Sequence, residues 1–307
     1  MNGTNRFGTS LARDLVRNRY VYLMALPVIL YYLLFHYGPM YGAIIAFKDF
    51  NPVKGILGSP WVGLTHFKAF VSSYYFIRIL RNTLVINLGI LVFGFPMPII
   101  LAILLNELRV GPIKRFVQTI SYLPHFISIM VVCGIIINFT SRQGLINDII
   151  ASFGGQRFSL LLKPEAFRPI YVLSDVWQTM GWSSIIYLAA LSAIDPQLYE
   201  AAGMDGAGRL RKIWSISLPG ILPTVTILLV LRMGTMMSIG FEKILLLVNQ
   251  NTLETGDVIS SFVYRRGILE FSFSYSAAVG LFNSGINFAL LLWSNWMARR
   301  LNQASLF

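Results

Sequence analysis

Apolar stretches long enough to cross a bilayer recur along this chain, separated by polar segments. A transmembrane helix needs about 20 predominantly apolar residues. Five stretches contain no acidic or basic residue, and a sixth contains a single base, Arg232. The predicted spans are 20–47, 82–106, 116–141, 176–194, 213–241 and 271–298. We therefore predict an all-α membrane protein with six transmembrane helices, forming one domain over residues 1–307.

The composition agrees with a membrane-embedded chain. Hydrophobic residues make up 55% of the sequence and charged residues 12%, whereas soluble domains carry about 25% charged residues. The net charge of +12 is interpreted as basic loops on anionic lipid, because no basic run is interleaved with aromatic residues as a nucleic-acid groove requires. A single cysteine, Cys133, and three histidines predict neither a disulfide framework nor a metal site.

Charge density orients the chain in the membrane. Twelve bases fall on each face, but the loops of one face are shorter, so their bases are denser, as on a cytoplasmic side. We predict that both termini, the 107–115 loop and the 195–217 loop are cytoplasmic. Residues 48–80, 142–168 and 242–270 are then external.

The polar loop at 195–217 shows a pattern of helix signals. Asp195 is a suitable N-cap and Pro196 suits a first helical turn, whereas Asp205, Gly206 and Gly208 favour a tight turn. This pattern predicts one short helix and then a second that "SLP" bends into the membrane. By physics alone, the loop is either a docking device of fixed shape or a polar connector on the lipid headgroups.

The same loop resembles the cytoplasmic loop of permease subunits of binding-protein-dependent ABC importers. The positions that match the family pattern are Glu200, Ala201, Ala202, Asp205, Gly206, Ala207, Ile216, Leu218 and Pro219. The sequence departs from the pattern at Ile213, where an aromatic residue is expected and Trp214 stands beside it. Three further segments, "HYGPMYGAIIAFKDFNP", "RFVQTISYLPHFIS" and "GFEKILLL", resemble the LplB-like oligosaccharide branch of the maltose-type superfamily.

This resemblance implies a type I importer permease of the bacterial cytoplasmic membrane, with a cytoplasmic coupling-helix loop. Its implied partners are a second homologous permease, two cytoplasmic ATPase subunits and an external solute-binding lipoprotein. The chain contains no G-x-x-x-x-G-K-[ST] phosphate loop, so no enzymatic activity is expected in it. ATP and Mg²⁺ would be bound by the ATPase partners, and no cofactor or metal by this chain. The resemblance also implies that the matching residues, Ile216 excepted, couple the permease to the ATPases.

Polar residues inside the spans are candidates for the substrate path, since such residues are costly in a membrane and mark cavities or helix contacts. Asp175, Gln178, Thr179 and Trp182 form one helical stripe on the fourth span. Ser276, Gly280, Asn283, Ser284 and Asn287 form another on the sixth. Either stripe could bind sugar hydroxyls or hold helices together. Arg232 either contacts substrate or forms a structural ion pair, with Asp175 or with an acid of a partner chain.

The function expected is translocation of an oligosaccharide delivered by an external binding protein. Arg232 and the outer loops, with eleven bases against seven acids, favour an acidic oligosaccharide, although neutral ones are also carried within the family. The alternatives are a permease for a different small polar solute and a stand-alone secondary carrier, which would show inverted repeats. A membrane enzyme would need convergent acids or metal ligands, whereas the three histidines are dispersed.

Overall fold

A computed structural model describes residues 16–109 and 111–300, and these residues are predominantly helical. Within those two ranges there is no β-strand, and Lys48 and Trp61 form an isolated antiparallel bridge. The all-α fold class predicted from the sequence is confirmed. Residues 1–15 and 301–307, predicted to be cytoplasmic, lie outside the described ranges.

Ten principal helices follow one another along the described residues. They are α1 (Arg19–Phe47), α2 (Phe76–Glu107), α3 (Pro112–Tyr122), α4 (Ile129–Thr140), α5 (Pro164–Ser192), α6 (Pro196–Met204), α7 (Arg209–Met233), α8 (Phe241–Leu247), α9 (Ile259–Tyr264) and α10 (Phe273–Arg300). Shorter helices lie at Gly55–Gly58, Thr65–Val71, Leu145–Ser152 and Leu253–Gly256, with 3-10 turns at Leu123–Phe126, Leu160–Leu162 and Gln250–Thr252. π-helical turns occupy Leu33–Tyr37, Ile90–Gly94, Ile213–Ser217 and Arg265–Leu269.

Five helical segments of the described chain are long and apolar enough to cross a membrane. They are Arg19–Phe47, Phe76–Glu107, Ile129–Ser152, Arg209–Met233 and Phe273–Arg300. The 29-residue helix α5 has the required length but is not among them, because polar side chains such as Asp175 and Gln178 lower its hydropathy. The fourth of the six spans therefore remains a prediction that rests on the length and central position of α5.

At three predicted span boundaries, the helices of the structure begin or end elsewhere. The fifth span ends at Met233 and not at 241, since the chain turns at Gly234 and the Asn287 side chain accepts a hydrogen bond from the Met237 N–H at 2.7 Å. The third span is broken at 127–128, between α3 and α4, where the Ser128 hydroxyl caps α4. Helix α5, which corresponds to the predicted fourth span, begins at Pro164, twelve residues before the predicted start at 176.

Helix α5 is at the centre of the bundle and packs along α2. Its buried face, including Phe167, Tyr171 and Val176, forms one apolar cluster with residues of α2, α4 and α8. On the side facing α3, a side chain at Gly181 would overlap the backbone carbonyl of Ser121. The glycine therefore permits close contact between α5 and the C-terminal end of α3.

The first half of α1 is not covered by any other part of the chain that the structure describes. None of the residues in Arg19–Tyr32 is buried, and Leu23, Met24 and Phe35 expose 65%, 79% and 67% of their surface. An uncovered apolar helix is stable when lipid or another subunit surrounds it. The structure therefore agrees with a first helix that is covered by lipid or by another subunit.

A buried polar network holds the segment around α9, which lies within the 242–270 region predicted to be external. Asp257, 1% exposed, accepts hydrogen bonds from the Ser261 hydroxyl at 2.9 Å and Arg265 Nη2 at 2.7 Å, and lies 3.7 Å from Arg78 Nη2. Its backbone carbonyl accepts from Asn82 Nδ2 at 2.9 Å. This segment is thus anchored to α2 rather than lying free on the surface.

Candidate functional site

Helix α6 of the 195–217 loop begins as its sequence predicts. Asp195 precedes Pro196, and its Oδ1 accepts a hydrogen bond from the Gln197 N–H at 2.9 Å. This bond satisfies one of the amide groups that have no partner at a helix N-terminus. The helix then carries Glu200, Ala201 and Ala202 and ends at Met204.

The turn after α6 depends on Gly206. This residue has φ +74°, a left-handed conformation that glycine adopts without strain. Here the Ala207 N–H donates to the Ala202 carbonyl at 2.8 Å and the Gly206 N–H donates to the Gly203 carbonyl at 3.1 Å, as in helix C-caps that reverse the chain direction. The predicted turn is therefore present, and its hydrogen bonds are internal to the loop.

The second helix of the loop is continuous with the fifth span. Helix α7 runs from Arg209 to Met233 and remains helical through Leu218 and Pro219, so the bend predicted at "SLP" is replaced by the π-helical turn at Ile213–Ser217. The Tyr199 and Ser217 hydroxyls lie 3.0 Å apart and join α6 to this turn. Because α7 also carries Arg232, the loop and the membrane interior are joined by one helix.

The surface of the loop carries exposed charged side chains next to exposed apolar ones. Glu200 and Asp205 are exposed, and the carboxylate of Glu200 forms no ion pair or hydrogen bond with other described residues. Met204, Leu210 and Trp214 expose 90%, 74% and 69% of their surface. Large apolar side chains exposed around an unpaired carboxylate are typical of a surface that another protein or the membrane interface covers.

A cavity of about 570 Å³ lies between α2, α5, α7 and the turn at 238–240, and we call it the central cavity. Its volume is within the range of small-molecule sites. Of the residues predicted for the substrate path, Asp175, Thr179, Trp182 and Arg232 line this cavity, whereas Gln178 does not. Helices α5 and α7 therefore bring the predicted acid, aromatic and base to one place.

The ion pair of Asp175 is formed with a residue that sequence reasoning missed. Lys243 Nζ lies 3.9 Å from Asp175 Oδ1 and 4.8 Å from the centroid of the Tyr171 ring. Arg232 forms no ion pair or side-chain hydrogen bond with the residues that the structure describes, so the proposed pairing of Arg232 with Asp175 is not found. The aromatic neighbour of Lys243, Tyr171, also lines the central cavity.

The polar residues predicted as one stripe on the sixth span have two different environments in the structure. Asn287 joins α10 to the turn that follows α7, since its Oδ1 accepts from the Met237 N–H at 2.7 Å and its Nδ2 donates to the Ser238 hydroxyl at 3.0 Å. Asn283, Ser276 and Gly280 line a second, largely apolar cavity of about 550 Å³ beneath α9. Neither Asn283 nor Asn287 therefore lies among the residues that line the central cavity.

Comparison with protein families places most of the chain in one of them. Residues 94–303 match the family described as "Binding-protein-dependent transport system inner membrane component".

Two similar proteins come from Bacillus subtilis (strain 168). The polygalacturonan/rhamnogalacturonan transport system permease protein YteP is 46% identical over 294 residues, which are 95% of this chain and 92% of the relative. Protein LplB is 43% identical over 301 residues, which are 98% of this chain and 95% of the relative.

Two solved structures have the same fold. One is the crystal structure of a bacterial ABC transporter involved in the import of the acidic polysaccharide alginate. It matches with a TM-score of 0.89 and 42% identity, over 96% of this chain and 100% of that chain. The other is the bacterial alginate ABC transporter in complex with an alginate pentasaccharide-bound periplasmic protein, with a TM-score of 0.88 and 41% identity, over 96% of this chain and 99% of that chain.

Proposed function

Because this chain belongs to the family of binding-protein-dependent transport system inner membrane components, we propose that it is the permease subunit through which an ABC importer moves an acidic oligosaccharide. The resemblance predicted from the 199–219 segment is confirmed, and the chain is a multi-pass membrane permease and not an enzyme. Its location is the bacterial inner membrane. The acidic nature of the cargo is the finer part of the proposal.

The observation that carries this part is the uncompensated base in the central cavity. Arg232 stands on a membrane-spanning helix without an acid paired to it among the described residues, yet it lines a cavity of about 570 Å³. A guanidinium in such a place is stabilised by a carboxylate, which it can bind through two parallel hydrogen bonds. Trp182 adds an aromatic face in the same wall, and a sugar ring can stack on such a face.

The related proteins support the same substrate class. YteP is named for transport of polygalacturonan and rhamnogalacturonan, and the transporter of similar structure imports the acidic polysaccharide alginate. Galacturonan and alginate are both polymers of uronic acids, so each repeating sugar carries a carboxylate. We infer that a uronate oligomer is the cargo that best matches Arg232.

In this proposal, the 195–217 loop transmits the movement of the ATPase subunits to the membrane helices. The exposed face of α6 and the Gly206 turn dock on an ATPase subunit, and the Glu200 carboxylate pairs with a base of that subunit. Closure of two ATPases on ATP and Mg²⁺ would move the loop as a rigid body and rock α7. A second homologous permease, cytoplasmic chain termini and an external solute-binding lipoprotein complete the proposed assembly.

The decisive experiment removes the charge of Arg232. Arg232→Gln keeps a polar side chain of similar length, and we expect uptake of a galacturonate tetramer into proteoliposomes to fall by about tenfold or more. The matched control is Arg157→Gln, which removes the same charge from an outer-surface arginine that pairs with Asp148 at 2.7 Å. Both complexes are first compared for assembly by size-exclusion chromatography. Equal uptake by the two variants would show that Arg232 does not select an anionic cargo.

A further inference from the structure

Lys243 is almost fully enclosed, although it stands on a segment that the charge pattern assigns to an outer loop. It exposes 3% of its surface, and its Nζ has no hydrogen-bond partner in the described residues. The charged group nearest to it in the structure is Asp175, at 3.9 Å, and its ammonium also faces the Tyr171 ring. An enclosed ammonium is stable only where an opposite charge or an aromatic face compensates it. Asp175 is therefore the counter-charge of Lys243.

Asp175 could instead neutralise Arg232, because both side chains line the central cavity. In the structure its ion pair within 4 Å is with Lys243, and none is formed by Arg232 among the described residues. Asp175 can neutralise only one of the two bases, Lys243 and Arg232. Because it pairs with Lys243, the remaining positive charge is that of Arg232. Lys243 itself is not among the residues that line the cavity, so it does not contact a cargo there.

We propose that Lys243 is a positioning residue that sets substrate charge preference by holding Asp175 away from Arg232. The inference rests on the acidic-oligosaccharide function proposed above. With Lys243 present, the carboxylate of Asp175 is occupied and Arg232 is free to bind a uronate carboxylate. Without Lys243, Asp175 becomes the natural partner of Arg232 and also repels the carboxylate of the cargo.

The test measures binding to the purified transporter complex by calorimetry, with the solute-binding protein omitted so that its own preference does not contribute. The two probes are tetragalacturonate and the same tetramer with its carboxyl groups reduced to neutral alcohols. For Lys243→Met, we expect tetragalacturonate to bind about tenfold or more weakly than to the wild type, with binding of the neutral probe unchanged. Lys243→Arg keeps the positive charge and should preserve the preference for tetragalacturonate.

The double variant Lys243→Met with Asp175→Asn separates charge positioning from packing. Removal of both charges leaves Arg232 free again, so affinity for tetragalacturonate should return to within about threefold of the wild type. If Lys243→Met does not assemble, the double variant should still do so, because it contains no buried acid that has lost its native partner. A double variant that fails to assemble, or that assembles and still binds tetragalacturonate weakly, overturns the proposal.

Arg232→Gln distinguishes failure of this inference from failure of the proposed function. If Arg232→Gln loses the preference for tetragalacturonate while Lys243→Met keeps it, only the role of Lys243 is wrong. If Arg232→Gln binds both probes as the wild type does, the cavity does not select uronates, and both the substrate class and the role of Lys243 are wrong.

Discussion

The conformation of Gly206 gives a graded prediction for the coupling loop. At φ +74°, alanine costs roughly 1–2 kcal/mol, which lowers the population of the native turn by a factor of roughly 5–30. Asparagine tolerates this region better than alanine. Proline is fixed near φ −65° and cannot adopt it. Proline would also remove the Gly206 N–H bond to Gly203, which is worth about 0.5–1.5 kcal/mol.

The matched control lies two residues further along the same turn. Gly208 has φ −69°, which any residue adopts, and a Cβ at either glycine would meet no atom within 4 Å. The two positions therefore differ in backbone conformation and not in available space. Gly208→Ala should retain wild-type behaviour, whereas Gly206→Asn, Gly206→Ala and Gly206→Pro should be progressively impaired.

The assay is ATP hydrolysis by the complex in proteoliposomes, with and without the substrate-loaded binding protein. Substrate-stimulated hydrolysis should decline in the order asparagine, alanine, proline at Gly206, while assembly of the complex is retained. If Gly206→Pro is stimulated as strongly as Gly208→Ala, the shape of this turn does not transmit the signal. If alanine and asparagine are equally impaired, the left-handed conformation is not the cause.

Two further predictions concern packing and topology. Gly181→Ala should destabilise the purified complex by about 1–3 kcal/mol, because its Cβ would overlap the backbone carbonyl of Ser121, which cannot move without the rest of its helix. The control is Gly134→Ala, at a helical position where a Cβ meets no other atom. This change should be neutral or stabilising by up to about 1 kcal/mol. Thermal unfolding of the two variants measures the difference, and equal midpoints would contradict the close contact at Gly181. In a Cys133→Ser background, Phe153→Cys should react with an impermeant thiol reagent added to intact cells, whereas Met204→Cys should react only after lysis. The Phe153 and Met204 side chains are both highly exposed, at 87% and 90%. Labelling of Met204→Cys from outside intact cells would therefore contradict the predicted cytoplasmic location of the 195–217 loop.

Local signals predicted the first helix and the turn of the 195–217 loop well. Asp195, Pro196 and Gly206 act through backbone groups within a few residues of themselves, so sequence spacing alone was enough to place the first helix and the turn. The continuous helix through Pro219 was not foreseen, because the π-helical turn before it depends on packing, including the buried Ser217 against Tyr199.

Long-range contacts explain the errors elsewhere. The early start of α5 is stabilised by Arg168, which donates to Asn82 Oδ1 at 2.7 Å and to the Thr255 carbonyl at 3.2 Å. The fourth span was predicted from a stretch without charged residues, so it could not include the helical turn that carries Arg168. The end of α7 depends on Asn287, which is 50 residues away from Met237 along the chain. Lys243 was counted with the outer loops for the same reason, since only the folded bundle encloses it beside Asp175.

The π-helical turn at Ile213–Ser217 also limits how the length of this chain can change. A π-helical turn contains one residue more than an α-helical turn. Deleting a single residue there would leave helix on both sides but rotate the coupling loop by about 100° about the helix axis relative to Arg232. In evolution, insertions and deletions should therefore be tolerated in exposed segments such as 153–157, whereas the number of residues between Gly206 and Arg232 should stay fixed even where their identities vary.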